Sequence, residues 1–220
     1  MNPSDDTSYA LERESMVSDQ IQRRGVRDPA VLAAMRATSR HRFVPKRLIS
    51  KAYEDTPLPI GESQTISQPY IVALMSELLR LPARNPARPI RVLEIGTGCG
   101  YQTAILARLA DEVYSMEVLP GLARTTGNLL AGLEAVRIRC ADGFQGWPEA
   151  APFHGILVAA APPEIPPPLL EQLAPGGRLV IPVGTDHQEL MVVQRTPAGL
   201  KYESILPVRF VPMVGQALSR

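Results

Sequence analysis

Little cysteine, little lysine and no long apolar run are found in this chain, and each shortage removes a class of protein. Cys99 and Cys140 are the only cysteines and fit no Cys-x-x-Cys or Cys/His ligand spacing, so a disulfide framework or structural zinc site is not expected. No apolar stretch reaches the roughly 20 residues of a membrane span. The polar opening Asn2-Pro3-Ser4-Asp5-Asp6 lacks the basic start and apolar stretch of a signal peptide. These absences predict a cytoplasmic protein with no membrane partner. A formal net charge of +1 lacks the basic excess of a dedicated nucleic-acid binder, so no nucleic-acid partner is expected. The three lysines, against a far larger number of arginines, read as genomic composition.

What is present is a globular composition, 45% apolar and 20% charged, in a chain whose 220 residues suit one domain. Proline is in excess, 22 residues, and it is nearly absent from one stretch: between Ile90 and Trp147 only Pro120 occurs. Since proline is excluded from helix interiors and central strands, that stretch is the expected regular heart of the fold.

There the pattern predicts strands over 91–95, 113–118 and 136–140, with helices over 101–110 and 121–133 between them. This is a βαβαβ half of a doubly wound, mostly parallel α/β sheet. Further strands are expected over 155–159 and 178–183, with a short helix over 169–173 between them. A C-terminal antiparallel pair is expected over 189–195 and 201–213. Before Pro89 the expectation is a helical lobe: a helix using Leu11, Val17 and Ile21 and ending at Gly25, and a second capped by Asp28 with Pro29 in its first turn. Residues 39–68 read as loop. A third helix follows, capped by Ser67 or Gln68, with Ile71, Leu74, Met75, Leu78 and Leu79 as its buried stripe. A single domain is therefore expected, with segments 1–89, 90–183 and 184–220.

The first strand of the heart runs into Gly96-Thr97-Gly98-Cys99-Gly100 and a helix. Such a turn lets a ligand approach the main chain, with the helix N-terminus supplying donors. Glu117 ends the next strand, where a carboxylate accepts ribose hydroxyls, and Asp142-Gly143 follows the third, within reach of an adenine amino group. In that order the three features predict a bound adenosine moiety. The Gly-x-Gly-x-Gly spacing with bulky Tyr101 after it lacks the third glycine of a dinucleotide cradle, and no Gly-Lys-Ser/Thr occurs. The pattern resembles the class I S-adenosylmethionine-dependent methyltransferases.

Four segments narrow this: 58–70, from Leu58-Pro59-Ile60-Gly61 to Gln68-Pro69-Tyr70; 92–103; Ala160-Ala161-Pro162-Pro163-Glu164-Ile165-Pro166; and Val208-Arg209-Phe210-Val211-Pro212. From about His41 to Met213 they resemble the protein-L-isoaspartate O-methyltransferases, in that family's order. The family usually has serine where Cys99 stands and often glycine where Ser63 stands. The resemblance implies a Rossmann-like methyltransferase sheet and methyl transfer from S-adenosylmethionine to the α-carboxylate of isoaspartyl residues, or the β-carboxylate of D-aspartyl ones, in damaged proteins. The ester then closes to a succinimide that returns partly to aspartate. It implies cofactor contacts at Gly96, Thr97, Gly98, Gly100, Glu117, Asp142 and Gly143. Ser67 takes the position of the catalytic serine, and Thr65, Ile66, Val211 and Pro212 contact the substrate peptide. No metal is implied, isoaspartyl proteins and peptides are the expected partners, and a monomer is the expected form.

The residues make chemical sense of this reaction. A carboxylate with an ordinary pKa of roughly 3.5 to 4 is ionised at neutral pH and needs no general base to attack a sulfonium methyl. His41, His154 and His187 are scattered, and no nucleophile–base set emerges. From Ala52 through Leu79 there is no Lys or Arg whose charge would stabilise the carboxylate before attack. Ser67 is a neutral donor in that segment. The basic run Arg36 to Lys51 is a candidate for steering acidic peptides, and the Cys99 thiol for oxidation sensitivity. Two other readings compete: a nucleic-acid methyltransferase, disfavoured because Ala160-Ala161-Pro162-Pro163 has neither polar head nor aromatic, and a module that binds cofactor or peptide without turnover.

Overall fold

A computed structural model describes residues 8–215, so the outermost parts of the expected segments 1–89 and 184–220 fall outside it. At its centre a seven-stranded sheet has the order β5-β4-β3-β6-β7-β8-β9. Here β3 is Arg91–Ile95, β4 Glu112–Glu117, β5 Val136–Cys140, β6 Phe153–Val158, β7 Leu173–Val183, β8 Gln188–Thr196 and β9 Gly199–Val208. The first five run parallel, and β8 and β9 close the sheet antiparallel. The chain builds β3, β4 and β5 outward in one direction and then returns to lay β6 and β7 on the other side of β3. That reversal opens a crevice at the carboxyl ends of β3 and β6, where ligands bind in doubly wound sheets.

Helix α4 (Tyr101–Leu109) follows β3, α5 (Pro120–Leu130) follows β4, and the short α6 (Pro167–Glu171) precedes β7. The N-terminal lobe has α1 (Ala10–Ser15), prolonged by a π turn over Met16–Ile21 and a 3-10 turn to Arg24, then α2 (Pro29–Ala37). A two-stranded hairpin, β1 (Leu58–Gly61) and β2 (Gln64–Ile66), and α3 (Pro69–Leu78) complete it. The lobe docks on the sheet through one continuous core, in which Met16, Val17, Ile21 and Met35 join Tyr101 and Ile105 of α4. Four helices carry proline in the first turn (Pro29, Pro69, Pro120 and Pro167), where the missing N–H costs nothing. Proline therefore starts helices here as well as marking loops.

Several expectations are corrected. Leu11 is 84% exposed, because α1 buries nothing and the chain turns inward only in the π turn. On α3 the buried positions are Pro69, Val72, Ala73, Met75 and Ser76, with Leu79 just beyond its end; of the expected stripe Met75 and Leu79 are buried, while Ile71, Leu74 and Leu78 are half-buried, so the buried face is shifted toward Val72 and Ser76. The N-cap of α3 is Gln68, and it makes no side-chain capping bond, so Ser67 is not the cap. Residues 58–66, read as loop, form the hairpin; Pro59 is compatible with a strand that has only one neighbour. The Pro175-Gly176-Gly177 turn is a bulge inside β7, where pairing jumps from Phe153 with Leu173 to Gly155 with Arg178. Strand β9 ends at Val208, and residues 209–213 leave the sheet.

The hairpin turn gives a physical reason for the glycine that the resemblance leads one to expect at position 63. Glu62 and Ser63 have φ of 48° and 58°, the left-handed pair that a two-residue hairpin turn demands. A non-glycine residue there costs roughly 1 kcal/mol. Ser63→Gly is expected to raise the unfolding free energy by about 0.5–1 kcal/mol in denaturant melts; an unchanged midpoint would show the strain to be relieved elsewhere.

Candidate active site

The loop Gly96–Gly100 turns out of β3 with Gly96, Gly98 and Gly100 all at positive φ. A Cβ at Gly100 would lie 2.6 Å from Thr126 Cγ2 and 2.9 Å from Leu130 Cδ1, so only glycine lets α5 pack beneath the loop. Most loop amides are already spent: Gly96 N and Thr97 N donate to Met116 O, Gly98 N to Glu117 and Gly100 N to Thr97 O. Rather than free donors, the loop offers a ligand close approach to bare backbone. This differs from the donor-rich helix end expected from sequence, and it suits a ligand without a pyrophosphate.

Glu117, at the end of β4, is buried, 5% exposed, and lines the cleft. Its Oε2 accepts from Gly98 N at 2.8 Å and its Oε1 from Leu119 N at 3.0 Å. An ionised carboxylate has about four lone-pair directions, so these bonds fix its orientation and leave acceptor capacity toward the cleft. Gly143 also lines the cleft, and it is glycine because Ile95 fills the space a Cβ would need. Asp142 stands just behind this wall: its Oδ1 accepts from Phe144 N at 2.9 Å, capping a 3-10 turn, and Gly215 lies against its carboxylate.

Two elements close the other side. The hairpin brings Thr65, Ile66 and Ser67 to the cleft, and the segment after β9 brings Val211, Pro212 and Met213. That segment is held by main-chain bonds from Ala161 N to Val211 O and from Met213 N to Ala161 O, both 2.8 Å. Of the residues singled out from sequence, Gly96, Thr97, Gly98, Glu117, Gly143, Thr65, Ile66, Ser67, Val211 and Pro212 share one cleft of about 950 Å³ including its mouth. Gly100 and Asp142 are outside its lining. Thr97 turns its hydroxyl inward to Ser115 Oγ at 2.6 Å, so only its backbone faces a ligand. The Ser67 hydroxyl has no hydrogen-bond partner among the described residues. No Lys, Arg or His lines the cleft, and Glu117 is its one carboxylate among the described residues.

Sequence reading missed Glu94, although an acid inside the apolar run Val92-Leu93-Glu94-Ile95 was a visible signal. It is fully buried, and its Oε2 accepts from Thr103 Oγ1 and Ser115 Oγ, both at 2.6 Å, while its Oε1 has no partner among the described residues. Burial raises this carboxyl from 4.5 to about 7, against the lowering effect of the two hydroxyls. Below pH 4.5 it is protonated in folded and unfolded chains alike. As pH rises toward 7 the unfolded chain ionises first, and roughly 3 kcal/mol of stability is lost. Val92, Leu93 and Ile95, each contributing roughly 2 kcal/mol by burial, offset that loss. Glu94→Gln is expected to flatten the fall in Tm between pH 5 and pH 8; a slope equal to the parent's would assign that fall to other groups.

The three histidines and the basic run Arg36 to Lys51 lie outside the cleft lining. Cys99 lines the cleft half-buried, and burial pushes its thiol up to about 11, so little of it is thiolate near neutrality. His41 bonds the Tyr53 hydroxyl at 2.7 Å, His154 Nδ1 accepts from Arg91 N, and His187 is exposed. The basic run is divided: Arg40 is fully buried and donates to Ala52 O, and Arg36 pairs with Glu14. Among the described residues no helix is long and apolar enough to cross a membrane, and no cluster of His, Cys, Asp or Glu could hold a metal.

Comparison with known proteins agrees with this geometry. Curated protein-L-isoaspartate O-methyltransferases from Picosynechococcus sp. and Gloeobacter violaceus are each 53% identical, covering 96% and 90% of this chain and 94% and 96% of their own lengths. A solved protein-L-isoaspartate O-methyltransferase superimposes with a TM-score of 0.83 at 28% identity, over 93% of this chain and 67% of that one. A Plasmodium falciparum structure described as a β-aspartate methyltransferase in complex with S-adenosyl-L-homocysteine shares the fold, with a TM-score of 0.77 at 24% identity over 92% of this chain and 98% of its own. The family model for protein-L-isoaspartate(D-aspartate) O-methyltransferase matches residues 11–218. With that match spanning nearly the whole chain and the cleft at the switch point of the sheet, this protein belongs to the protein-L-isoaspartate(D-aspartate) O-methyltransferase family.

Proposed function

We propose that this chain methylates the free α-carboxylate of L-isoaspartyl residues, and the β-carboxylate of D-aspartyl residues, in damaged proteins. The observation that carries this reading is the cleft itself: among the described residues, an unengaged serine hydroxyl and a single buried carboxylate share one lining that contains no cation.

The residues present fit S-adenosylmethionine. Glu117 retains acceptor capacity for ribose hydroxyls, Gly96 and Gly98 admit a ligand against the backbone, and Gly143 keeps the adjoining wall flat. Bound there, the cofactor supplies an electrophilic methyl on sulfonium. The chain has no proton to remove, since the acceptor is already an anion, and the absence of a histidine from the cleft follows. Ser67 donates its hydroxyl to the acceptor carboxylate and orients it without the full charge of a guanidinium, which would favour the ground state over the less polar transition state. Thr65, Ile66, Val211 and Pro212 flank Ser67 and hold the peptide as an extended segment, through contacts that are indifferent to its sequence. Met213, 3% exposed, anchors this wall in the core beneath β6.

The deciding experiment supplies labelled S-adenosylmethionine with matched L-aspartyl, L-isoaspartyl and D-aspartyl peptides and with RNA. Base-labile label confined to the isoaspartyl and D-aspartyl peptides is the expected result. Labelled RNA would overturn the reading.

A further inference from the structure

A second groove continues outward from the cleft, sharing Thr65, Ser67, Ala159 and Val211 with it. Its lining differs in charge: it holds two guanidinium groups, Arg24 and Arg209, and no carboxylate among the described residues. Residue spacing offers no hint of this, since the two arginines are far apart in the chain and line one groove only in the folded protein.

Arg24 is held rigidly. Its Cζ lies 3.5 Å from the centroid of the Tyr70 ring, and its Nη1 donates to Asp55 Oδ2 at 2.7 Å. Asp55 Oδ2 also accepts from Gln68 Nε2 at 2.9 Å, which ties the arginine to the N-cap of α3, next to Ser67. Nε and Nη2 of Arg24 donate to nothing among the described residues. Asp55 offsets the charge of Arg24 but is not in the groove lining. Arg209 is exposed and has no acidic partner among the described residues, so the groove keeps a net positive charge. The remaining lining, including Ile71, Pro207 and Phe210, is largely apolar and suits an extended chain.

We infer that this groove receives the substrate residues adjoining the methyl acceptor, and that Arg24 and Arg209 select a carboxylate side chain there. The inference rests on the reaction proposed above. It places cations one step away from the reacting carboxylate, where they attract the peptide without stabilising the group that must attack. Arg24, planar and fixed by stacking, offers a fork of donors suited to a carboxylate. Arg209, at the rim, acts on encounter and is sensitive to salt.

The test uses three isoaspartyl peptides identical except for Glu, Gln or Lys beside the isoaspartyl residue. The expected order of kcat/KM is Glu, then Gln, then Lys. Each step is expected to be roughly threefold, read mainly in KM and narrowing at high ionic strength. Arg209→Glu, an exposed substitution, is expected to reverse the order. Equal kcat/KM for the three peptides, a preference for Lys in the parent, or an unchanged order in Arg209→Glu would each overturn the groove assignment while leaving the reaction intact. Failure to turn over any of the three by a protein that binds S-adenosylhomocysteine would overturn the reaction and the groove with it.

Discussion

Ser67→Ala is expected to lower kcat on an isoaspartyl peptide by roughly a hundredfold, the scale seen when one preorganised donor is removed from a reacting oxygen, while KM for the cofactor and Tm stay near the parent's. The separation of kcat from Tm follows from the structure. A serine just ahead of a helix usually caps it, and its loss then costs about 1 kcal/mol. Here Gln68 holds the N-cap position without a side-chain capping bond, and the Ser67 hydroxyl bonds nothing within the described residues. Removing the hydroxyl therefore costs the folded chain little and the acceptor its orientation. Stopped single-turnover assays beside thermal melts read both quantities. A parent-like kcat would remove Ser67 from catalysis, and a fall in Tm with no fall in kcat would return it to a structural role. Ser67→Thr keeps a hydroxyl and is expected to recover part of the rate.

Glu117→Ala is expected to weaken binding of S-adenosylhomocysteine by about two to four orders of magnitude, measured by calorimetry. Two hydrogen bonds to a charged acceptor contribute roughly 1.5–3 kcal/mol each, and every 1.4 kcal/mol is tenfold. The substitution also frees Gly98 N and Leu119 N, which Glu117 now satisfies. Glu117→Gln separates the two effects. Its amide oxygen still accepts one backbone N–H, so the loop stays tied, while the charge and one acceptor are gone; an intermediate loss of affinity is expected. Parent-like affinity in both variants would place the ribose elsewhere in the cleft.

The parts of the fold readable in the sequence are those whose patterning serves a single purpose. Strands β3 and β6 are largely buried and read as apolar runs interrupted only by Glu94 and His154, as parallel strands do. The loop after β3 announces itself because Gly100 has no alternative beneath Thr126 and Leu130. Elsewhere two demands overlap. Val211, Pro212 and Met213 are apolar because they wall the cleft and anchor in the core, and that pattern imitates a longer β9. Leu58-Pro59-Ile60-Gly61 looks like loop because of its proline and glycine, though a hairpin with one partner per strand accepts both. Asp142 stands in the expected position, but its carboxylate serves Phe144 N, a local use that spacing alone does not distinguish from ligand binding. Arg24 and Arg209 could not be placed in one groove from sequence at all, because they line it together only in the folded protein.

The bridge between Ala161 and the Val211–Met213 segment also orders events in time. The five parallel strands, the last ending at Val183, the glycine loop and Glu117 all precede β8 in the chain, so a nascent polypeptide has them before β8 is made. The wall facing Ser67 comes only when synthesis has passed Met213 and that segment has paired with Ala161. A chain made as far as Val183 thus carries the glycine loop, Glu117 and Ser67 without the wall that faces them, and the cleft closes only once Met213 has been made.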